Sequence, residues 1–150
     1  FQPCIADAEE VVRIATSKGA SLSNPSGAAL TQLQKSIVKA YIRMARTYTM
    51  IQKFHYGAHY YNLAAALDPM NQDVAKGMND IYVLFGKKRE SIIASREANM
   101  SDKLVKDLMA DPQVTHALTM LQGNPNSLNS MLSDKNLGPK LTELMLAGII

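Results

Sequence analysis

Apolar residues recur along this chain at spacings of three and four, while the alternation of a β-strand is nearly absent. The pattern predicts an all-α protein. "CIADAEEVVRI" reads as an amphipathic helix, Cys4–Ile14, turning Ile5, Ala8 and Val11 or Val12 inward. No segment ahead of it covers that face, so the chain reads as a piece of a longer protein. "ATSKGASLSNPSGAALTQLQ" follows, rich in Ser, Gly and Ala. It predicts a loop over Ala15–Leu33, in which Ala28–Gln34 has the pattern of a short helix. A second helix is predicted over roughly Ser36–Gln52, with Tyr41, Met44, Ala45 and Tyr48 as its apolar stripe. A third runs over Tyr56–Leu67 and stops at "LDPMN", because Pro69 disfavours helix at Asp68. A fourth, over Gln72–Arg96, turns Val74, Met78, Ile81, Tyr82 and Phe85 inward and keeps "GKKRE" in water.

After Asn99 the texture changes to short helices punctuated by X-Pro pairs. Asp111-Pro112 and Asn124-Pro125 each offer an N-cap followed by Pro at the first helical position. Gly123 is placed to end the helix before it. Four short helices are expected, over Asp102–Met109, Pro112–Gln122, Pro125–Ser133 and Leu137–Ala147. The last sets Leu137, Leu141, Leu144 and Ile149 on one side. The change of texture divides the chain into 1–98 and 99–150.

Composition narrows the function. An apolar fraction of 47% supports a packed core and argues against general disorder. No run of about 18 apolar residues exists to span a membrane, and the acid-bearing start lacks the basic region of a signal peptide. The single cysteine, Cys4, forbids an intramolecular disulfide and fits a reducing, cytoplasmic setting. The net charge of +3 is weak for a nucleic-acid binder. "GKKRE" lacks the aromatic platforms that would make it one. His55 and His59 stand four apart on a helix, a spacing able to bind metal, but no Cys or acid completes a set. No nucleophile elbow and no Gly-rich phosphate loop appears. The expectation is a non-enzyme with no cofactor and no metal, binding neither nucleic acid nor membrane.

One feature asks for a partner. In "VKAYIRMARTY", Lys39, Arg43 and Arg46 follow one another at spacings of four and three with no acid between them. Like charges so placed cost an isolated helix about 0.2–0.5 kcal/mol. At 100° per residue they cluster opposite the Tyr41–Tyr48 stripe. A solvated helix face accounts for them without function; a bound anion accounts for them with one.

Val38–Asn71 spans 34 residues, the period of the tetratricopeptide repeat. With Val38 first, Tyr41, Met44, Ala45, Tyr48, Tyr61, Ala64 and Pro69 all suit its interlocking pattern. Gly57 stands for a usual small Ala, and Gln52 for the Gly that often ends the first helix. "CIADAEEVVRI" looks like the second helix of a preceding repeat, and Gln72–Arg96 like the capping helix. The tail, with Asp111-Pro112, "NPNSL" and the closing "AGII", resembles the DP-type (STI1-type) helical domain. A tetratricopeptide block followed by such a domain resembles the Hop family of stress-inducible co-chaperones, which link heat shock protein 70 to heat shock protein 90.

That resemblance implies a carboxylate clamp. In the family, Lys and Arg at the second and sixth positions of the third repeat grip the terminal Glu-Glu-Val-Asp of the chaperone; here these are Lys39 and Arg43. A side-chain carboxylate and a chain terminus need several converging donors, with Arg able to hold one in a fork. Arg46 lies on the same face, placed to read an upstream acid. The clamp's other Lys and two Asn belong to earlier repeats not found in this chain, so half a site and poor affinity are expected. The expected partners are the C-terminal peptides of heat shock proteins 90 and 70, together with client polypeptides.

For clients, the tail's Leu and Met residues matter. Most belong to its core, but a domain of about 50 residues buries apolar surface incompletely. Short Met-bearing helices can leave an adaptable groove. Leu121, Leu128, Met131, Leu141 and Met145 are the candidates to line it. A Hip-like or small glutamine-rich co-chaperone shares the tail pattern but adds Gln-rich or Gly-Met-rich stretches, of which this chain has none. A purely structural scaffold is the third possibility; its associations would survive high salt.

Overall fold

The structure, a computed structural model, describes residues 2–19 and 30–149. The predicted loop's centre and the start of its short helical pattern, residues 20–29, lie outside the described residues. The protein is all-α, and no strand occurs among the described residues. In chain order the helices are α1 (Gln2–Ser17), α2 (Gln32–Met50), α3 (Phe54–Leu67), α4 (Gln72–Ala94), α5 (Arg96–Met100), α6 (Lys103–Ala110), α7 (Pro112–Gly123), α8 (Leu128–Leu132) and α9 (Leu137–Leu146). A 3₁₀ turn, Pro125–Ser127, leads into α8. Two compact units form, Phe1–Leu84 and Phe85–Ile150, dividing inside α4 rather than at the change of sequence texture after residue 98.

In the first unit α2 is the central element, packed against both α1 and α3. Its start is fixed by a capping box. Thr31 Oγ1 accepts from the Gln34 N–H at 3.2 Å, and Gln34 Oε1 accepts from the Thr31 N–H at 3.0 Å. This Thr-x-x-Gln signal begins the helix four residues ahead of Ser36, the start expected from periodicity. Two neighbours require two apolar faces, so Ile37, Val38, Ala40 and Ile42 are buried along with Tyr41, Met44 and Ala45. α1 contributes Ile5, Ala8 and Ala15; Val11 and Val12 are half-buried and Ile14 is exposed. It outruns the expected end at Ile14 and reaches Ser17, with the Thr16 and Ser17 hydroxyls donating back to Val12 O and Ile14 O. α4 adds Val74 and Ile81 to the core, whereas Tyr82, expected to face inward, is 45% exposed. The next turn of α4, Gly86–Glu90, is exposed as its charge requires.

The α2–α3 turn closes the hairpin of these two helices without a Gly. Lys53 N–H donates to Tyr48 O at 2.9 Å and Gln52 N–H to Thr49 O at 3.1 Å, a Schellman closure. Gln52 sits at its left-handed position, φ 64°. A side chain there costs about 1–2 kcal/mol, and glycine would return part of that as chain entropy. Gln52→Gly is therefore expected to stabilise the unit by about 0.5–1 kcal/mol, read as a raised urea midpoint with unchanged slope.

The second unit is assembled from short, locally capped helices. Asp111 Oδ1 accepts from Gln113 N–H at 2.9 Å with Pro112 at the first helical position. Asn124 Oδ1 does the same for Asn126, and Asp134 Oδ1 for Asn136 and Leu137. The Lys140 ammonium pairs with the Asp111 carboxylate, tying the start of α7 to α9. That contact, with the Gln113 N–H, holds the Asp111 carboxyl below the ordinary carboxylate range. The core is aliphatic: Val105, Leu108, Val114, Ala117, Leu141, Leu144 and Leu146. α9 ends in a second Schellman closure, Ile149 N–H to Leu144 O at 3.0 Å and Gly148 N–H to Met145 O at 3.0 Å. Gly148, φ 81°, fills its left-handed position, and Asn99 Nδ2 donates to Ala147 O at 2.9 Å. The expected fourth helix breaks at Ser95 into α4 and α5, and the expected Pro125–Ser133 helix is a 3₁₀ turn followed by α8.

Candidate functional site

Packing on two sides leaves α2 one stripe in water. Lys35, Ser36, Lys39, Arg43, Arg46 and Met50 are exposed, at the spacings of a single helix face. Lys39, Arg43 and Arg46 lie together on it, away from the faces that α1 and α3 cover. With Ile42, Thr47 and Asp73 they line a shallow depression of about 300 Å³. Ile42 and Thr47 form an uncharged floor, and the Thr47 hydroxyl is engaged, donating to Arg43 O at 2.9 Å.

The three cations are not equivalent. Among the described residues Lys39 and Arg43 have no ion-pair partner. Arg46 Nη2 lies 3.8 Å from Asp73 Oδ1 in the first turn of α4, and Tyr61 borders the same depression as this pair. Burial raises the Tyr61 hydroxyl's pKa, against the pull of Arg46. Arg46 is thus already turned toward an internal acid. The sequence carried no sign of this. Asp73 follows the cap residue Asn71, whose Oδ1 accepts from the Asp73 N–H at 2.9 Å, and reads as an ordinary helix-start acid. Only the packing of α4 brings it to Arg46.

Arg46 and Asp73 also form the wall of a second, larger depression of about 580 Å³. Tyr61, Met50 and Val83 give it apolar surface, and Lys76 and Asp80 stand at its edge. Its floor depends on close approach. A Cβ on Gly77 would fall closer than 3.0 Å to two ring carbons and the hydroxyl oxygen of Tyr61, so only glycine lets α4 lie on that side chain.

The remaining candidates divide. His55 is buried against Tyr56, with ring centroids 4.8 Å apart, and His59 meets Tyr60 edge-on at 5.3 Å. Both belong to an aromatic ladder in which Tyr48 stacks on Tyr56 at 4.9 Å and on Tyr60 at 5.6 Å. Burial, then the neighbouring Tyr48 and Glu9, push the Tyr60 hydroxyl up to about 12. No group of His, Cys, Asp and Glu able to hold a metal occurs among the described residues.

In the second unit a depression of about 300 Å³ is lined by Met131, Met120, His116, Ala117 and Leu137, among others. Of the five residues expected to line a groove, Met131 alone borders it. Leu141 is fully buried and belongs to the core, because it lies on the side of α9 that packs inward. Leu121, Leu128 and Met145 are half-buried outside this depression. No helix among the described residues is long and apolar enough to cross a membrane.

No known family model matches the chain, and no solved structure matches it.

Proposed function

We propose that the first unit is an adaptor surface that captures an acidic chain end, doing no chemistry of its own. More specifically, the protein acts as a co-chaperone of the Hop type. It binds the acidic C-terminal tails of heat shock proteins 90 and 70, while its second unit, a DP-type bundle, contacts client segments in the cytoplasm. The observation that carries this reading is the Lys39–Arg43 pair: both exposed, both without an ion-pair partner among the described residues, both lining one depression. Two unneutralised cations one helical turn apart suit two carboxylates, one held by a guanidinium fork and one by an ammonium. The buried residues of the α2–α3 hairpin, Tyr41, Met44, Ala45, Tyr61 and Ala64, fall where a tetratricopeptide pattern needs them and add support. So do the capped Asp111-Pro112 start and the Ala147–Gly148 closure of the tail.

The test is an NMR titration of the chain with a peptide ending in Glu-Glu-Val-Asp. Resonances of Lys39, Arg43 and their neighbours are expected to shift, and rising salt to weaken the binding. Lys39→Ala with Arg43→Ala is expected to reduce affinity about tenfold or more with unchanged far-ultraviolet circular dichroism, since both side chains are exposed. Equal affinity in the double variant refutes the reading.

A further inference from the structure

We infer that Asp73 is a specificity-determining residue of this site: it neutralises Arg46 and so bars a further acid from the part of the ligand that passes over it. The inference rests on the tail-binding reading above and specifies which tails the site accepts. Three observations converge on it. Among the described residues Arg46 is the only one of the three ridge cations within ion-pair distance of an acid, with Asp73 Oδ1 3.8 Å from its Nη2. Tyr61 borders the same depression as that guanidinium. And the pair stands where the two depressions meet, since Arg46 and Asp73 line both.

The charge pattern then has a direction. The smaller depression offers the unpaired Lys39 and Arg43 to carboxylates. The larger one balances Arg46 and Lys76 against Asp73 and Asp80, and its remaining surface is largely apolar. A ligand carboxylate brought to Arg46 must displace or approach the Asp73 carboxylate, meeting like charge in an exposed setting. An uncharged residue at the same place meets no such cost. The site therefore grips acids at one end and refuses them at the other. A run of acids is not its preferred ligand; a short acidic terminus preceded by a neutral residue is. Asp73 acts through Arg46 and is a positioning residue.

The experiment uses the chain and two peptides that share a free C-terminal Val-Asp and differ only by Glu or Gln at an upstream position shown by NMR to contact Arg46. Asp73→Asn is expected to bind the Glu peptide about two- to fivefold more tightly than the wild type, the scale of one exposed ion pair. It should leave the Gln peptide unchanged and steepen the salt dependence for the Glu peptide alone. Asp73→Glu, which keeps the charge, should restore the wild-type preference. A gain shared equally by both peptides, or no gain for either, overturns the inference while leaving tail binding intact. If the wild type and the Lys39→Ala, Arg43→Ala variant bind both peptides alike, the tail-binding reading fails, and this inference with it. Thermal unfolding of each variant separates a lost fold from lost discrimination.

Discussion

Phe54→Ala is expected to remove about 3–5 kcal/mol from the first unit. Phe54 is the first residue of α3 and among the largest fully buried side chains, 2% exposed. Truncation forfeits the transfer free energy of a ring and leaves a hole that close-packed neighbours fill only in part. Single domains are stable by about 5–15 kcal/mol in total, so the loss approaches the unit's whole margin. The measurement is unusually clean. The chain has no Trp, and all six Tyr lie between positions 41 and 82. Tyrosine fluorescence in a urea titration therefore follows the Phe1–Leu84 unit alone. A loss below about 1 kcal/mol would mean that Phe54 is not part of a tight core.

Gly77→Ala should also destabilise, against the intrinsic preference of helices. In an open helical position alanine gains about 1 kcal/mol over glycine. At Gly77 the added methyl meets the outer end of the Tyr61 side chain, a residue only 3% exposed. Overpacking of this kind costs about 1–3 kcal/mol, so the clash outweighs the propensity. Gly86, on the same helix, has nothing within 4 Å of the corresponding methyl, and Gly86→Ala is the control that should stabilise. A stabilised Gly77→Ala protein would contradict the contact between α4 and Tyr61.

Much of the helical framework was legible because its signals are local. Asp111-Pro112 and Asn124-Pro125 announce their caps within three residues, and the end of α9 is written in Ala147-Gly148. The exposed ridge of Lys39, Arg43 and Arg46 followed from periodicity, since a helix face is set by spacing alone. Long-range facts were not legible. Tyr82 looked like a core residue because an aromatic at helical spacing usually is one, yet nothing covers it enough to bury it. Leu141 and Met131 are equally apolar and equally tail-bound. Only the rotation of α9 and α8 puts one in the core and the other beside a depression. The Arg46–Asp73 pair joins residues on two helices, and no spacing rule connects them. One further signal is local: Thr31 and Gln34 form a capping box where the polar loop gives way to helix.

The ladder of rings along α2 and α3 has an optical consequence. Tyr41 neighbours Tyr60, Tyr60 neighbours Tyr48, and Tyr48 neighbours Tyr56, at centroid separations of 4.9 to 6.1 Å. At such distances an absorbed quantum migrates among the chromophores before it is emitted. Melting pulls the emitters apart and ends that migration, a built-in gauge of whether this pair of helices is still together.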